Sequence, residues 1–87
     1  MTTNAPSTIK FFDDASLEKI AYKSVSSIPT REPNDQVRLG YSIWKFLSEK
    51  KGTLEEAIAN AQSHALIDAK NIAKIIRENL KLQGIKV

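Results

Sequence analysis

The one histidine of the chain, His64, stands four residues ahead of Asp68, a spacing that puts both side chains on one face of a helix. Together they would offer a metal ion two ligands, one fewer than even a catalytic zinc site uses. A polar pair in a turn is the simpler account. The adjacent carboxylates Asp13 and Asp14 open a helical stretch, where acids more often cap backbone amides than work as an acid/base pair. Ser24, Ser26 and Ser27 have no histidine or lysine at a spacing that argues for activation of a hydroxyl. Gly40, Gly52 and Gly84 are too scattered to form a phosphate-cradling loop. Cysteine is absent, and with it thiolate nucleophiles, thiolate metal sites and disulfides. These residues predict a protein that is not an enzyme, with no metal, no cofactor and no small-molecule substrate.

One pattern does suggest chemistry. Lys70, Lys74, Arg77 and Lys81 recur at intervals of four, three and four, which on a helix stacks them within about 60° of one another and opposite Ile72, Ile75 and Ile76. No acid falls within the stripe, since Glu78 lies to one side, and Lys86 would extend it. If Asp68 starts this helix, Lys70 and Asn71 are among the first residues offered to a nucleic-acid groove. There asparagine can pair with adenine, and lysine with guanine or phosphate. Asp68 at the leading end would repel phosphates unless it is consumed as a cap. The opposing account is equally physical: any helix at the surface keeps its charges opposite its apolar face, and cations suit a helix C-terminus.

The composition fits either account. Eighty-seven residues, 41% hydrophobic and 26% charged, suffice for one domain with one modest core and fall outside the range typical of disorder. Net charge is +3, and residues 67–87 carry five basic side chains against two acids, whereas residues 53–66 carry no basic residue and two acids. A pI near 9.3 permits DNA or another acidic partner without establishing one. The N-terminal "MTTNAPSTIK" has neither a basic nor an apolar leader-like segment. No apolar run approaches the ~18 residues needed to cross a bilayer. A soluble, cytoplasmic protein with no membrane partner is expected.

These residues must be positioned by helices. Residues 1–8 read as a flexible tail and 9–87 as a single helical domain, with Ile9, Phe11 and Phe12 pinning the N-terminus onto the helices. A first helix follows Asp13 and Asp14, because Leu17, Ile20, Ala21 and Ser24 or Val25 recur at helical spacing. Pro29 and Pro33 interrupt the chain. Asn34 is expected to cap a second helix running to about Lys50, with Gly52 as its left-handed stop.

On that second helix Val37, Leu39, Tyr41, Ile43, Trp44, Phe46 and Leu47 cover more than half the circumference, leaving Arg38, Ser42, Lys45 and Glu49 as a narrow polar strip. Such a helix requires neighbours on two sides, or leaves Tyr41 and Trp44 exposed for a partner or a second subunit. Gly40 in mid-helix implies a close approach by another element.

Thr53 and Glu56 form a capping box that opens a third helix, with Leu54, Ala57, Ile58 and Ala61 on its apolar face. Beyond it, "SHALID" is either the middle of one helix about 40 Å long or a turn before a fourth helix capped by Asp68. In the second case Ile67 and Ile72 hold the positions of a hydrophobic staple. The break is favoured, and the spacing of Ala57, Ala61, Ile67 and Ile72 then resembles a helix-turn-helix, without its usual glycine.

The expected fold is all-α: a compact three- to four-helix domain, helix-turn-helix-like in its C-terminal half. Two function classes follow. One is a small DNA-associated protein whose contact face is Lys70, Asn71, Lys74, Arg77 and Lys81. The other is an accessory subunit or inhibitor that docks through Tyr41 and Trp44 on a larger protein, such as one of nucleic-acid metabolism, with a homo-oligomer as a further option.

Overall fold

A computed structural model describes residues 12–87 as four α-helices: α1 Asp14–Val25, α2 Pro33–Glu49, α3 Leu54–Ala61 and α4 Ala69–Leu82. The expected tail, together with Ile9 and Phe11, lies outside the described residues. The helices contact in a ring, α1 on α2, α2 on α3, α3 on α4 and α4 on α1. One core fills the ring. Ala21, Val25, Ile28, Leu39, Ile43, Leu47, Leu54, Ile76, Leu80 and Ile85 are its most enclosed apolar side chains, with Phe12 and Trp44 packed partly buried against it. Among the described residues there is no strand.

Helix starts follow local chemistry. Asp13 caps α1, its carboxylate accepting from the Ser16 amide at 2.8 Å. The same hydrogen bond lowers the Asp13 pKa from its ordinary value. At α2 the expected Asn34 cap is wrong. Glu32 is the N-cap and Pro33 the first helical residue. Proline suits that position because the amide it lacks would be unpaired there, and it holds Glu32 extended. Asp35 then reaches back, accepting from the Glu32 amide at 3.2 Å.

The left-handed residue that ends α2 is Lys50, at φ 57°, and not Gly52, whose φ of 75° serves the turn into Thr53. Thr53 and Glu56 form the reciprocal capping box at 3.1 and 2.9 Å. At the far end of α4, Gly84 is left-handed at φ 94°, and the Gly84 and Ile85 amides donate to Lys81 and Leu80 at 3.0 and 2.9 Å. This is a Schellman motif, closed by burial of Ile85.

The C-terminal third is two helices. Gln62 ends α3 in the left-handed conformation at φ 52°, and Asp68 caps α4 by accepting from the Asn71 amide at 2.8 Å. The connecting turn is held from outside. The Arg31 amide donates to the His64 carbonyl at 2.9 Å and the Leu66 amide to the Pro29 carbonyl at 2.8 Å, around an antiparallel bridge between Thr30 and Ala65. The α1–α2 and α3–α4 loops therefore satisfy each other's backbone groups.

The polar strip expected on α2 is only partly a surface. Ser42 is half-buried and its hydroxyl donates to the Ala57 carbonyl of α3. Val37, expected in the apolar face, is instead 53% exposed. Gly40 is buried beneath the ring of Tyr22 from α1, which is the close approach that a mid-helix glycine implies.

Candidate nucleic-acid interface

Helix α4 positions the basic stripe. Ile72, Ala73, Ile76 and Leu80 are buried and Ile75 is half-buried, so the opposite face is turned outward. Lys70, Asn71, Lys74, Arg77 and Lys81 are all exposed on it. Cross-links to α1 fix the helix about its own axis. The Asn79 side-chain amide donates to the Ser24 carbonyl at 2.9 Å and the Gln83 side-chain amide to the Ile20 carbonyl at 3.2 Å. Asp68, the acid that would repel phosphates at the leading end, is consumed as the N-cap.

The stripe is nevertheless interrupted by an acid from elsewhere in the chain. Glu55, in the first turn of α3, takes both terminal nitrogens of Arg77, at 2.8 and 3.1 Å. The guanidinium holds the Glu55 carboxyl below its ordinary carboxylate value, and Glu55 in turn raises the Arg77 pKa. The expectation of an acid-free stripe fails in space, because helical spacing describes one helix and Glu55 belongs to another. Among the described residues Lys70, Lys74 and Lys81 have no carboxylate at ion-pairing distance. Lys70, Lys74 and Arg77, with Glu55 and Glu78, line a groove of about 660 Å³ between α3 and α4, floored by Ala69 and Ala73.

Tyr41 and Trp44 lie on the other side of α3. Tyr41 is 53% exposed and meets the half-buried Trp44 edge to face, with ring centroids 5.9 Å apart. The indole Nε1 of Trp44 is buried and has no hydrogen-bond partner among the described residues. Tyr41 also lines a groove of about 360 Å³ between α2 and α3, together with Arg38, Lys45, Lys51, Glu49 and Glu56.

His64 and Asp68 do not come together as a ligand pair. His64 Nδ1 lies 3.4 Å from Asp35, a carboxylate with only 2% of its side chain exposed, which Arg38 also approaches at 3.5 Å. Asp35 does not stand out in the sequence, although its place three residues after Glu32, with proline between them, is the spacing of a capping box. Among the described residues no group of three or more His, Asp and Glu side chains is arranged to hold a metal ion, and no helix is long and apolar enough to cross a membrane. Compared with known proteins, the chain matches no family, no curated protein and no solved structure.

Proposed function

We propose that this protein binds DNA through the outward face of α4. The observation that supports it is the set of three exposed lysines, Lys70, Lys74 and Lys81, aligned along one helix with no carboxylate at ion-pairing distance among the described residues. Phosphate attraction needs uncommitted cations on a face rigid enough to follow a backbone. The packed and cross-linked α4 supplies such a face. Helix α3, its turn and α4 then act as a helix-turn-helix-like unit, with Asn71 near the leading end as the base-reading candidate.

The test is fluorescence anisotropy with a short labelled DNA duplex across about 50–200 mM salt. Replacing Lys70 and Lys74 with glutamine should weaken binding and reduce the salt slope by nearly two, about 0.9 for each phosphate that is no longer neutralised. An unchanged slope in a folded double variant would sink the proposal.

A second function is favoured by a different observation, the 53% exposure of Tyr41 beside Trp44. In it the protein is an accessory subunit or inhibitor that docks through α2 on a larger protein, with the Tyr41 ring as anchor. Tyr41→Ala should leave the circular dichroism spectrum and Tm nearly unchanged while abolishing partner binding. Unfolding of that variant would instead assign Tyr41 to packing.

A further inference from the structure

The groove between α3 and α4 already contains a contact that occupies Arg77 as a phosphodiester would. Glu55 engages the guanidinium with two parallel hydrogen bonds, 2.8 and 3.1 Å long, and this fork geometry is the one arginine uses on phosphate. Glu55 is not one of the two side chains of the capping box of its own helix, which Thr53 and Glu56 complete between themselves. Both partners remain accessible, with 42% of the Arg77 side chain and 57% of the Glu55 side chain exposed. An ion pair so placed is cheap to break.

We propose that Glu55 is a resident competitor for the phosphate that Arg77 would hold, so that nucleic acid seated on the α3–α4 groove displaces a carboxylate to engage Arg77. The inference rests on the DNA-binding reading of α4. Lys70 and Lys74, seven and three residues before Arg77 on the same edge, line the same groove. The alanine floor of Ala69 and Ala73 leaves room for a backbone to approach. In the resting protein the stripe presents its lysines and withholds its arginine. Weak, lysine-only contacts form first, and a backbone positioned well enough to replace Glu55 gains the bidentate one. Glu55 thereby sets how sharply the face separates well-seated from loosely seated nucleic acid.

The experiment is a double-mutant cycle, Glu55→Gln and Arg77→Gln alone and together, read by anisotropy on one short fluorescein-labelled DNA duplex from about 50 to 200 mM salt. Glu78→Gln serves as a charge-matched variant in the same groove. The expected result is that Glu55→Gln tightens binding about two- to fivefold at the lowest salt, the cost of breaking one exposed pair, with the salt slope nearly unchanged because Arg77 neutralises the same phosphate in both complexes. That gain should vanish in the Arg77→Gln background. A gain that persists there, or that Glu78→Gln matches, would mean that removing any negative charge has the same effect, and would overturn the proposal. Wild-type binding that Glu55→Gln leaves unchanged overturns it too, while the DNA-binding reading stands. A wild-type protein that binds no duplex at low salt removes that reading and this one with it.

Discussion

The carboxylate of Asp35 and the imidazole of His64 meet at 3.4 Å, joining the first turn of α2 to the turn between α3 and α4. Asp35 is 1% exposed and collects the Glu32 amide, Arg38 and His64 around one side chain. A carboxylate so deeply buried is tolerable only with such partners. Asp35→Ala removes the acceptor for the Glu32 amide and leaves two basic groups without their partner, and should cost about 1–3 kcal/mol in urea unfolding. His64→Ala, on a side chain that is 67% exposed, should cost less than about 1 kcal/mol. Equal losses for the two would mean that Asp35 does not organise this corner.

Gly40 and Tyr22 set up a sign reversal. Alanine in place of a helical glycine normally gains about 1 kcal/mol. Here the ring of Tyr22 occupies the space a methyl group would take, so Gly40→Ala should destabilise by about 1–3 kcal/mol through overpacking. In a Tyr22→Ala background the same change should stabilise. A stabilising Gly40→Ala in the wild-type chain would show that the ring moves aside without cost.

What is legible in the sequence follows from which interactions are local. Asp13, one of two adjacent acids that could cap α1, Thr53 with Glu56, and Asp68 cap their helices as their types and spacing allow, because a cap is made within three residues of itself. The break after Ala61 is legible for the same reason. The N-cap of α2 falls two residues before Asn34: asparagine is the better cap by type, but Pro33 decides the matter by fixing its neighbours. The stripe on α4 is legible as a stripe. Its partner Glu55, 22 residues away in sequence, is not, since only the packing of α3 against α4 brings the two together. Equally, nothing in the spacing of α2 distinguishes Val37, left exposed, from Leu39, fully buried; the difference lies in where α1 and α3 sit.

Gln62 carries the turn that a glycine would ordinarily make. Its φ of 52° is a conformation that L residues adopt at a penalty. Gln62→Gly should therefore stabilise by about 0.5–1 kcal/mol, the penalty relieved less the extra entropy of glycine in the unfolded chain. Gln62→Val, branched at Cβ, should destabilise. If glycine proves the worse of the two, the end of α3 does not adopt the left-handed turn in solution.

The Glu55–Arg77 pair should leave a signature on the acid side of the stability profile. The Glu55 pKa is lowered in the folded protein, so its stabilisation is fully present above the unfolded value, about 4.3 for glutamate, and is lost as pH falls through the folded one. The raised Arg77 value lies beyond the accessible range and adds no alkaline transition. Thermal melts of wild type and Glu55→Gln should differ at neutral pH, with wild type the more stable, and converge as pH drops below about 4. Because both side chains are exposed, the neutral-pH gap should also shrink in high salt. A gap that persists well below that pH would have to come from packing of the Glu55 stem, and the ion pair would then contribute nothing to holding α3 against α4.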